Sequence, residues 1–279
     1  MNTQESRNRR RTRSAGWATR LHVMLALLLL PLVGTPAAAQ AACTPQPPGL
    51  AAWWAGEDNA MDRLGSHHAT LTNGTGFAAG FVGRAFQFDG IDDQMRAGLL
   101  GGIGLTETDP LSIAAWVNSA NVAATTVQVI AGNYMGEQGG SGNFSIHLRI
   151  SDGNLTFSID QRQLAGSSVS TPISNGWHFV TATYDGNTLA LYLDGLPEGT
   201  TPRGFSGSAA NTRGWNVGNF SDETNTAHGF NSSFNGRLDE VMVFGRALGA
   251  AEVEAIFDAG SLGVCPPMIF ASGFEGTAR

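Results

Sequence analysis

Apolar and polar residues alternate along several short stretches in the middle of the chain. Ile113, Ala115 and Val117 fall on one side of such a stretch. The segment 144–150 (FSIHLRI) alternates strictly, and its four apolar residues are expected to face inward. A side-chain period of two is typical of a strand with one buried face. These stretches therefore predict β-strands packed against a core.

Turn residues between the alternating stretches predict two β-hairpins. The triplet DGN at 152–154 follows the segment 144–150, and a second DGN at 185–187 joins residues 177–184 to residues 189–193. Gly and Asn tolerate the positive φ that tight hairpin turns need. Many short strands at regular spacing predict an all-β sandwich or barrel.

A helical period appears near the C-terminus. Val253, Ile256 and Phe257 fall on one face of the segment 250–259, and Gly260 follows it. Glycine directly after the last periodic residue is a common end of a helix. We expect one short helix here, covering one end of the sandwich.

The composition fits strands joined by turns and excludes several other classes. Of 279 residues, 37 are Gly and 14% are charged, and all sixteen basic residues are Arg. A hydrophobic content of 42% sustains a packed core. A net charge of −7 argues against nucleic acid as a partner. Two cysteines are too few for a four-ligand zinc module.

The first 41 residues are predicted to be a secretory signal peptide. Six Arg residues precede an apolar run at 23–33, and an alanine-rich stretch then offers cleavage after Ala39 or Ala41. The run is shorter than the roughly 20 residues of a membrane span. Twin-arginine export and a lipid-modified Cys43 are weaker alternatives, because the expected hydrophobic residue after the Arg pair and the expected Leu before the cysteine are missing. We expect a secreted, periplasmic or cell-surface protein without a transmembrane span after cleavage.

Loss of residues 1–39 makes the chain more acidic. It leaves 10 basic and 22 acidic residues, so the formal charge changes from −7 to −12. Carboxylates that face solvent need water or cations. In an extracellular setting, calcium is the obvious cation.

Two cysteines bracket nearly all of the remaining chain. Export places Cys43 and Cys265 where disulfides persist, and a disulfide between them is the prediction, with two unpaired thiols as the alternative. We expect one domain over residues 42–265 and a tail over residues 266–279. For the tail we consider an attachment or sorting peptide, an edge strand and a frayed terminus.

Three segments in this order resemble a known family. They are residues 49–60 (GLAAWWAGEDNA), 80–90 (GFVGRAFQFDG) and 236–248 (GRLDEVMVFGRAL). Together they resemble the laminin-G-like, concanavalin A-like lectin/glucanase domain of bacterial secreted proteins, over residues 49–260. The resemblance implies an all-β fold, a two-sheet antiparallel jelly-roll sandwich with one short C-terminal helix.

The resemblance also implies a structural calcium. In the resembled family a calcium often lies where the early loop meets a late strand. The corresponding candidate ligands are Asp58, Asn59, Asp62 and Asp239. Carboxylate, amide and carbonyl oxygens are the ligands that calcium prefers. The alternative is that these are turn residues and a buried aspartate that accepts backbone hydrogen bonds.

Two further polar clusters are interpreted without a ligand. Asp89, Asp92 and Asp93 form an acidic cluster that we interpret as a solvated turn. His67 and His68 are adjacent, so their side chains diverge on an extended segment. We interpret them as part of a surface loop.

The sequence carries no recognisable catalytic motif. Glucanases of this fold carry a Glu-x-Asp-x-x-Glu strand, which this chain lacks. Asp239 and Glu240 are adjacent, so on a regular strand they would point to opposite faces and could not act as a pair. The chain also lacks a Gly-x-Ser-x-Gly elbow and a phosphate-binding loop. We therefore expect no enzymatic activity.

Aromatic residues are the remaining candidates for ligand contact. Tyr134, Phe220, Phe230 and Phe234 lie in polar stretches, and sugar rings stack on exposed aromatic faces. For each of the four, packing in the core or anchoring of a loop is the favoured alternative. The sequence predicts a secreted, non-catalytic module that binds extracellular carbohydrate or protein. The alternatives are a surface-attached structural or adhesion protein and, less favoured, a polysaccharide hydrolase or lyase with an atypical site.

Overall fold

A computed structural model describes residues 43–104, 106, 108–133, 144–161, 167–204, 214–220 and 232–267. These residues form β-strands, one α-helix and a 3₁₀ turn at Gly260–Leu262. The helix α1 spans Ala250–Asp258. The strands are β1 Leu50–Trp54, β2 Thr70–Thr72, β3 Gly76–Ala79, β4 Arg84–Asp89, β5 Gln94–Gly98, β6 Leu111–Ser119, β7 Gln128–Asn133, β8 Phe144–Ser151, β9 Asn154–Gln161, β10 Ser167–Pro172, β11 His178–Tyr184, β12 Thr188–Leu193, β13 Leu196–Pro202, β14 Trp215–Val217 and β15 Asn235–Phe244.

The strands form two antiparallel sheets. The first has the order β13-β12-β11-β6-β15-β4-β3, and β1 also pairs with β15. The second has the order β10-β9-β8-β7-β14-β5-β2. Both predicted hairpins are present, as the pairs β8–β9 and β11–β12. The predicted all-β jelly-roll sandwich is confirmed.

The main core lies between the two sheets. Alternate residues of the strands fill it, including Ile146, Leu148 and Ile150 of β8 and Leu189 and Leu191 of β12. All five are fully buried. The period of two in the sequence therefore marks the inward faces correctly.

Strand β6 is buried on both faces, which explains its nearly continuous apolar sequence. Ile113, Ala115 and Val117 belong to the core between the sheets. Ala114 and Trp116 belong to a second cluster on the opposite face of the first sheet. The alternation of Ile113, Ala115 and Val117 therefore marks only one of the two buried faces of this strand.

The helix covers the outer face of the first sheet, so the expectation that it covers one end of the sandwich is wrong. Val253 and Ile256 are buried in the second cluster. The Phe257 ring lies 5.7 Å from that of Trp116 and 6.4 Å from that of Phe179. A helical period predicts which face of a helix is buried and not which surface it meets.

The predicted disulfide is present. Cys43 and Cys265 are bonded, with their Cα atoms 4.9 Å apart. An isolated bridge between Thr44 and Val264 continues the pairing of the two chain segments. Within the described ranges, no helix is both long enough and apolar enough to cross a membrane.

Candidate functional site

The loop after β1 is organised around the buried carboxylate of Asp62. Its Oδ1 accepts hydrogen bonds from the backbone N–H of Trp53 and of Leu64, at 2.9 and 3.1 Å. Its Oδ2 accepts from the N–H of Ser66 and of His67, both at 3.0 Å. Four backbone donors therefore engage this side chain and fix the course of the loop.

The other two predicted ligands of this loop also have partners within the protein. The exposed Asp58 forms an ion pair with Arg84, with 2.6 Å between Oδ1 and Nε. The Asn59 side chain closes a local turn, because its Oδ1 accepts from the Met61 N–H and its Nδ2 donates to the Glu57 carbonyl. The Asn59 contacts form an Asx turn, whereas the Asp58 contact ties the loop to β4.

Asp239 and Glu240 lie in an irregular part of β15. The register against β6 shifts between Asp239 and Met242, and Glu240 has a φ of 53°. A bulge of this kind interrupts the alternation of a strand. Asp239 contacts the backbone of Phe81, and Glu240 contacts Trp53, so both carboxylates reach residues that pack in or against the outer cluster. The expectation that they point to opposite faces is therefore wrong.

The buried Asp239 carboxylate is only half satisfied. Its Oδ2 accepts from the N–H groups of Phe81 and Val82, both at 2.8 Å. Its Oδ1 is buried and has no hydrogen-bond partner. Gly80 lies directly against Oδ2 at a distance that would admit no β-carbon. The chain therefore wraps closely around one oxygen and leaves the other without a donor.

Burial and neighbouring charge raise the pKa values of this acidic group. Burial, opposed by backbone hydrogen bonds and reinforced by Glu57, raises the pKa of Asp239 to about 7. Burial and the charge of Asp239 raise the pKa of Glu240 to about 8. The sequence analysis did not include Glu57 and Glu240 among the candidate calcium ligands. Adjacent acidic residues within an otherwise apolar strand were the available indication.

The acidic side chains whose ligand atoms lie closest together are elsewhere. Among the described residues, Asp89, Asp92 and Asp93 form the group in which one oxygen from each carboxylate lies within 4.8 Å of the others. Asp62 and Asp239 do not belong to such a group. Burial, reinforced by Asp89 and Asp92, raises the pKa of Asp93.

The structure describes two of the four aromatic residues that were candidates for ligand contact. Phe234 is fully buried in the core, where its ring meets that of Phe88 edge-on at 6.1 Å. Phe234 is therefore not an exposed ligand contact, and core packing, the alternative that the sequence analysis favoured, is confirmed for it. Phe220 is half-buried, with its ring 5.0 Å from that of His147. Tyr134 and Phe230 lie outside the described residues.

The two histidines of the first loop have structural contacts. His68 is exposed, and its Nδ1 accepts from the Asp62 N–H at 3.1 Å. His67 is half-buried, with its carbonyl accepting from the indole N–H of Trp54 at 2.8 Å. The interpretation as a loop agrees with these contacts.

A polar groove crosses the outer face of the first sheet. Arg237 on β15 lies in register with Asn118 on β6 and with Gln87 on β4, and Gln87 in turn faces Gly76 on β3. Gly76 has no side chain, which leaves space at the end of this row. The groove has a volume of about 370 Å³, and its lining includes Ala78, Gln87, Asn118, Ala120, Asn235 and Arg237.

Arg237, which lines this groove, packs against the ring of Trp177. The Arg237 guanidinium carbon lies 5.3 Å from the centre of the Trp177 ring, and Nη1 donates to the Ala79 carbonyl at 2.9 Å. With the Asn118 amide turned so that its oxygen faces the donors, it accepts from Trp177 Nε1 and Arg237 Nη2, both at 3.3 Å. These contacts hold a cationic, planar group at the rim. The sequence interpretation missed it because the groove needs four strands in register.

Two antiparallel sheets packed face to face are the architecture of a jelly-roll sandwich. The chain belongs to the family described as the concanavalin A-like lectin/glucanases superfamily, a laminin G type of domain, which matches residues 89–254. A search of curated protein sequences finds no significant match.

Solved structures share this fold at low sequence identity. The binding domain of Paraclostridial Mosquitocidal Protein 1 is 17% identical with a TM-score of 0.59, over 76% of this chain and 52% of that one. Domain 4 of AbnA, an extracellular arabinanase from Geobacillus stearothermophilus in complex with arabinotriose, is 18% identical with a TM-score of 0.57, over 76% of this chain and 98% of that one. The receptor binding domain of botulinum neurotoxin D is 15% identical with a TM-score of 0.57, over 75% and 52%. This chain thus spans about half the length of the two toxin domains.

Proposed function

We propose that this protein is a secreted, non-catalytic module that binds extracellular carbohydrate through the groove beside Arg237. The observation that carries the proposal is the row of Asn118, Arg237 and Gln87 across three strands, with Trp177 packed against Arg237. Amide and guanidinium groups offer the donors and acceptors that sugar hydroxyls use. The volume of about 370 Å³ lies within the usual range of small-ligand sites. The arabinotriose held by the arabinanase domain supports a sugar as the ligand class.

The chemistry of the groove supports binding without catalysis. The polar side chains that line it are three amides and one guanidinium, and none of the lining residues carries a carboxylate. Most enzymes that hydrolyse a glycosidic bond use two carboxyl groups that flank it. The acidic pair of the described structure, Asp239 and Glu240, is buried and engaged with Phe81, Val82 and Trp53.

Export agrees with the chemistry of the two cysteines. The proposed signal peptide would carry the chain into an oxidising compartment, where the bond between Cys43 and Cys265 persists. N-terminal sequencing of the protein recovered from the culture medium or periplasm tests this step. A mature chain that begins near residue 40 or 42 supports export, whereas an uncleaved cytoplasmic chain contradicts it.

We also propose a structural calcium at Asp239. The support is the buried Oδ1 that lacks a donor, together with the carboxylates of Glu57 and Glu240, whose charges act on Asp239 and on each other. Oxygen-rich, acidic surroundings suit a hard cation. When bound, calcium would neutralise this buried charge. Asp62 takes the part of a positioning residue, because its four backbone contacts hold the loop that carries Glu57.

A protein receptor is the second candidate ligand. The neurotoxin domain that shares this fold is a receptor binding domain by name, which favours this candidate. A surface-attached adhesion protein would then use the tail beyond Cys265. Loss of surface retention on deletion of residues 266–279, with an unchanged thermal midpoint, would favour adhesion over free carbohydrate binding.

The experiment that tests the main proposal is a glycan array. The purified full-length chain is applied with 2 mM calcium to printed oligosaccharides that include arabinotriose, and Arg237→Ala is applied in parallel. We expect saturable binding to at least one glycan and loss of that binding in the variant. An array without any bound glycan would overturn carbohydrate binding.

A further inference from the structure

The loop between β4 and β5 brings three carboxylates together. Asp89 is the last residue of β4, and Asp92 and Asp93 directly precede β5. One oxygen of each lies within 4.8 Å of the others. Backbone contacts fold the loop tightly, since the Asp89 N–H donates to Asp93 Oδ2 and the Ile91 N–H donates to Asp89 Oδ1, both at 2.8 Å.

One member of this cluster is buried and incompletely bonded. Asp93 is only 4% exposed, and its Oδ1 has no hydrogen-bond partner. A β-carbon on Gly74 would lie 3.2 Å from this oxygen, so the turn at Asn73 and Gly74 closes over it. The same turn is tied to the loop, because Asn73 Nδ2 donates to the Asp92 carbonyl at 2.9 Å.

A buried carboxylate oxygen without a donor is costly to keep, and two further carboxylates nearby add repulsion. Asp89 and Asp92 are exposed, so a cation can reach the cluster from solvent. A hard divalent cation that takes several oxygen ligands would relieve both costs at once. We propose that Asp89, Asp92 and Asp93 form a calcium-binding site, separate from the one at Asp239.

The position of this site suggests what the cation does. The Ile91 carbonyl of the same loop accepts a hydrogen bond from Ser233 Oγ at 2.6 Å. Directly after the cluster, Gln94 Nε2 donates to Asn216 Oδ1 at 2.9 Å. A cation held by the loop therefore braces the segments around β14 and before β15. The loop itself connects β4 of the first sheet to β5 of the second.

Calcium titration by isothermal calorimetry tests the site. The full-length chain, stripped of metal, is titrated with CaCl₂, together with Asp92→Asn and Asp89→Asn. Asp92 is exposed, and an amide at position 89 still accepts from Ile91, so both variants should fold, which circular dichroism checks. Asp152→Asn is the matched control, because it removes one exposed charge from a hairpin turn elsewhere.

In Asp92→Asn and in Asp89→Asn we expect the calcium affinity of one binding site to fall by about tenfold or more, because each variant lacks one of three charged ligands. The control should bind as the wild type does. Asp239→Asn should leave the calcium affinity of the site at Asp89, Asp92 and Asp93 unchanged. This result separates the proposal from the calcium proposed at Asp239. Wild-type protein that binds no calcium, or both loop variants binding with unchanged stoichiometry and affinity, would overturn the proposal.

Discussion

The indole Nε1 of Trp53 donates a hydrogen bond of 2.6 Å to Oε2 of Glu240, 187 residues further along the chain. Both side chains are buried on the outer side of the first sheet. The contact joins β1 to the bulge in β15, two strands that also pair through their backbones. A charged or protonated Glu240 thus has one fixed donor.

Removal of this donor should destabilise the fold. We expect Trp53→Phe to lower the free energy of unfolding by about 1–3 kcal/mol, because a buried carboxyl loses its hydrogen bond. Glu240→Gln should cost less, because its amide oxygen still accepts from the indole. Urea unfolding of the oxidised protein measures both. A Trp53→Phe variant with the same free energy of unfolding as the wild type would show that this hydrogen bond does not stabilise the fold.

Phe234 should matter for stability and not directly for ligand binding. Its ring is fully buried between the sheets. We expect Phe234→Ala to cost about 3–5 kcal/mol, the usual range for a core phenylalanine. Phe220→Ala, at a half-buried ring, is the comparison and should cost less. Thermal unfolding would refute the assignment if Phe234→Ala left the midpoint unchanged.

His147 should make stability depend on pH. Burial and the positive charge of Arg149 lower the pKa of His147 to about 3, although Nδ1 lies 3.5 Å from Asp160 Oδ2. The unfolded chain has a histidine pKa of about 6.5. Below pH 6.5 the histidine is therefore protonated in the unfolded chain but stays neutral in the folded chain. The free energy of unfolding consequently falls as the pH falls towards 3.

The size of this effect follows from linkage. Wild type should lose up to about 1.4 kcal/mol per pH unit from this group, a loss that His147→Gln should not show. Urea unfolding at pH 7.5, 6.0 and 5.0 on both proteins gives the difference in slope. Parallel pH dependence of the two proteins would contradict a neutral, buried His147.

The sequence predicts the elements and the core better than it predicts the site. Alternation identified the inward faces of β8 and β12, and paired cysteines identified the closure of the domain, because both depend on local or compositional features. The partner surface of α1 and the bulge at Glu240 depend on strand register. Periodicity carries no information about register shifts.

The groove shows the same limit. Arg237, Asn118, Gln87 and Gly76 come from four strands that are far apart in the sequence. Gln87 and Arg237 lie in the segments 80–90 and 236–248 that carry the family resemblance, but no pattern in the sequence brings them together with Asn118 and Gly76. Phe234 shows a second limit of the sequence, because a residue within a polar stretch can still face inward.

The central claim is that the groove beside Arg237 binds carbohydrate, and the affinity of matched arginine variants tests it most directly. The glycan bound best on the array is titrated by calorimetry into wild type, Arg237→Ala and Arg203→Ala, the last replacing an arginine just beyond the edge strand β13. Equal thermal midpoints establish that all three are folded. We predict that Arg237→Ala weakens binding by about tenfold or more, equivalent to about 1.4 kcal/mol, and that Arg203→Ala binds as the wild type does. Equal affinity of Arg237→Ala and wild type would contradict the account.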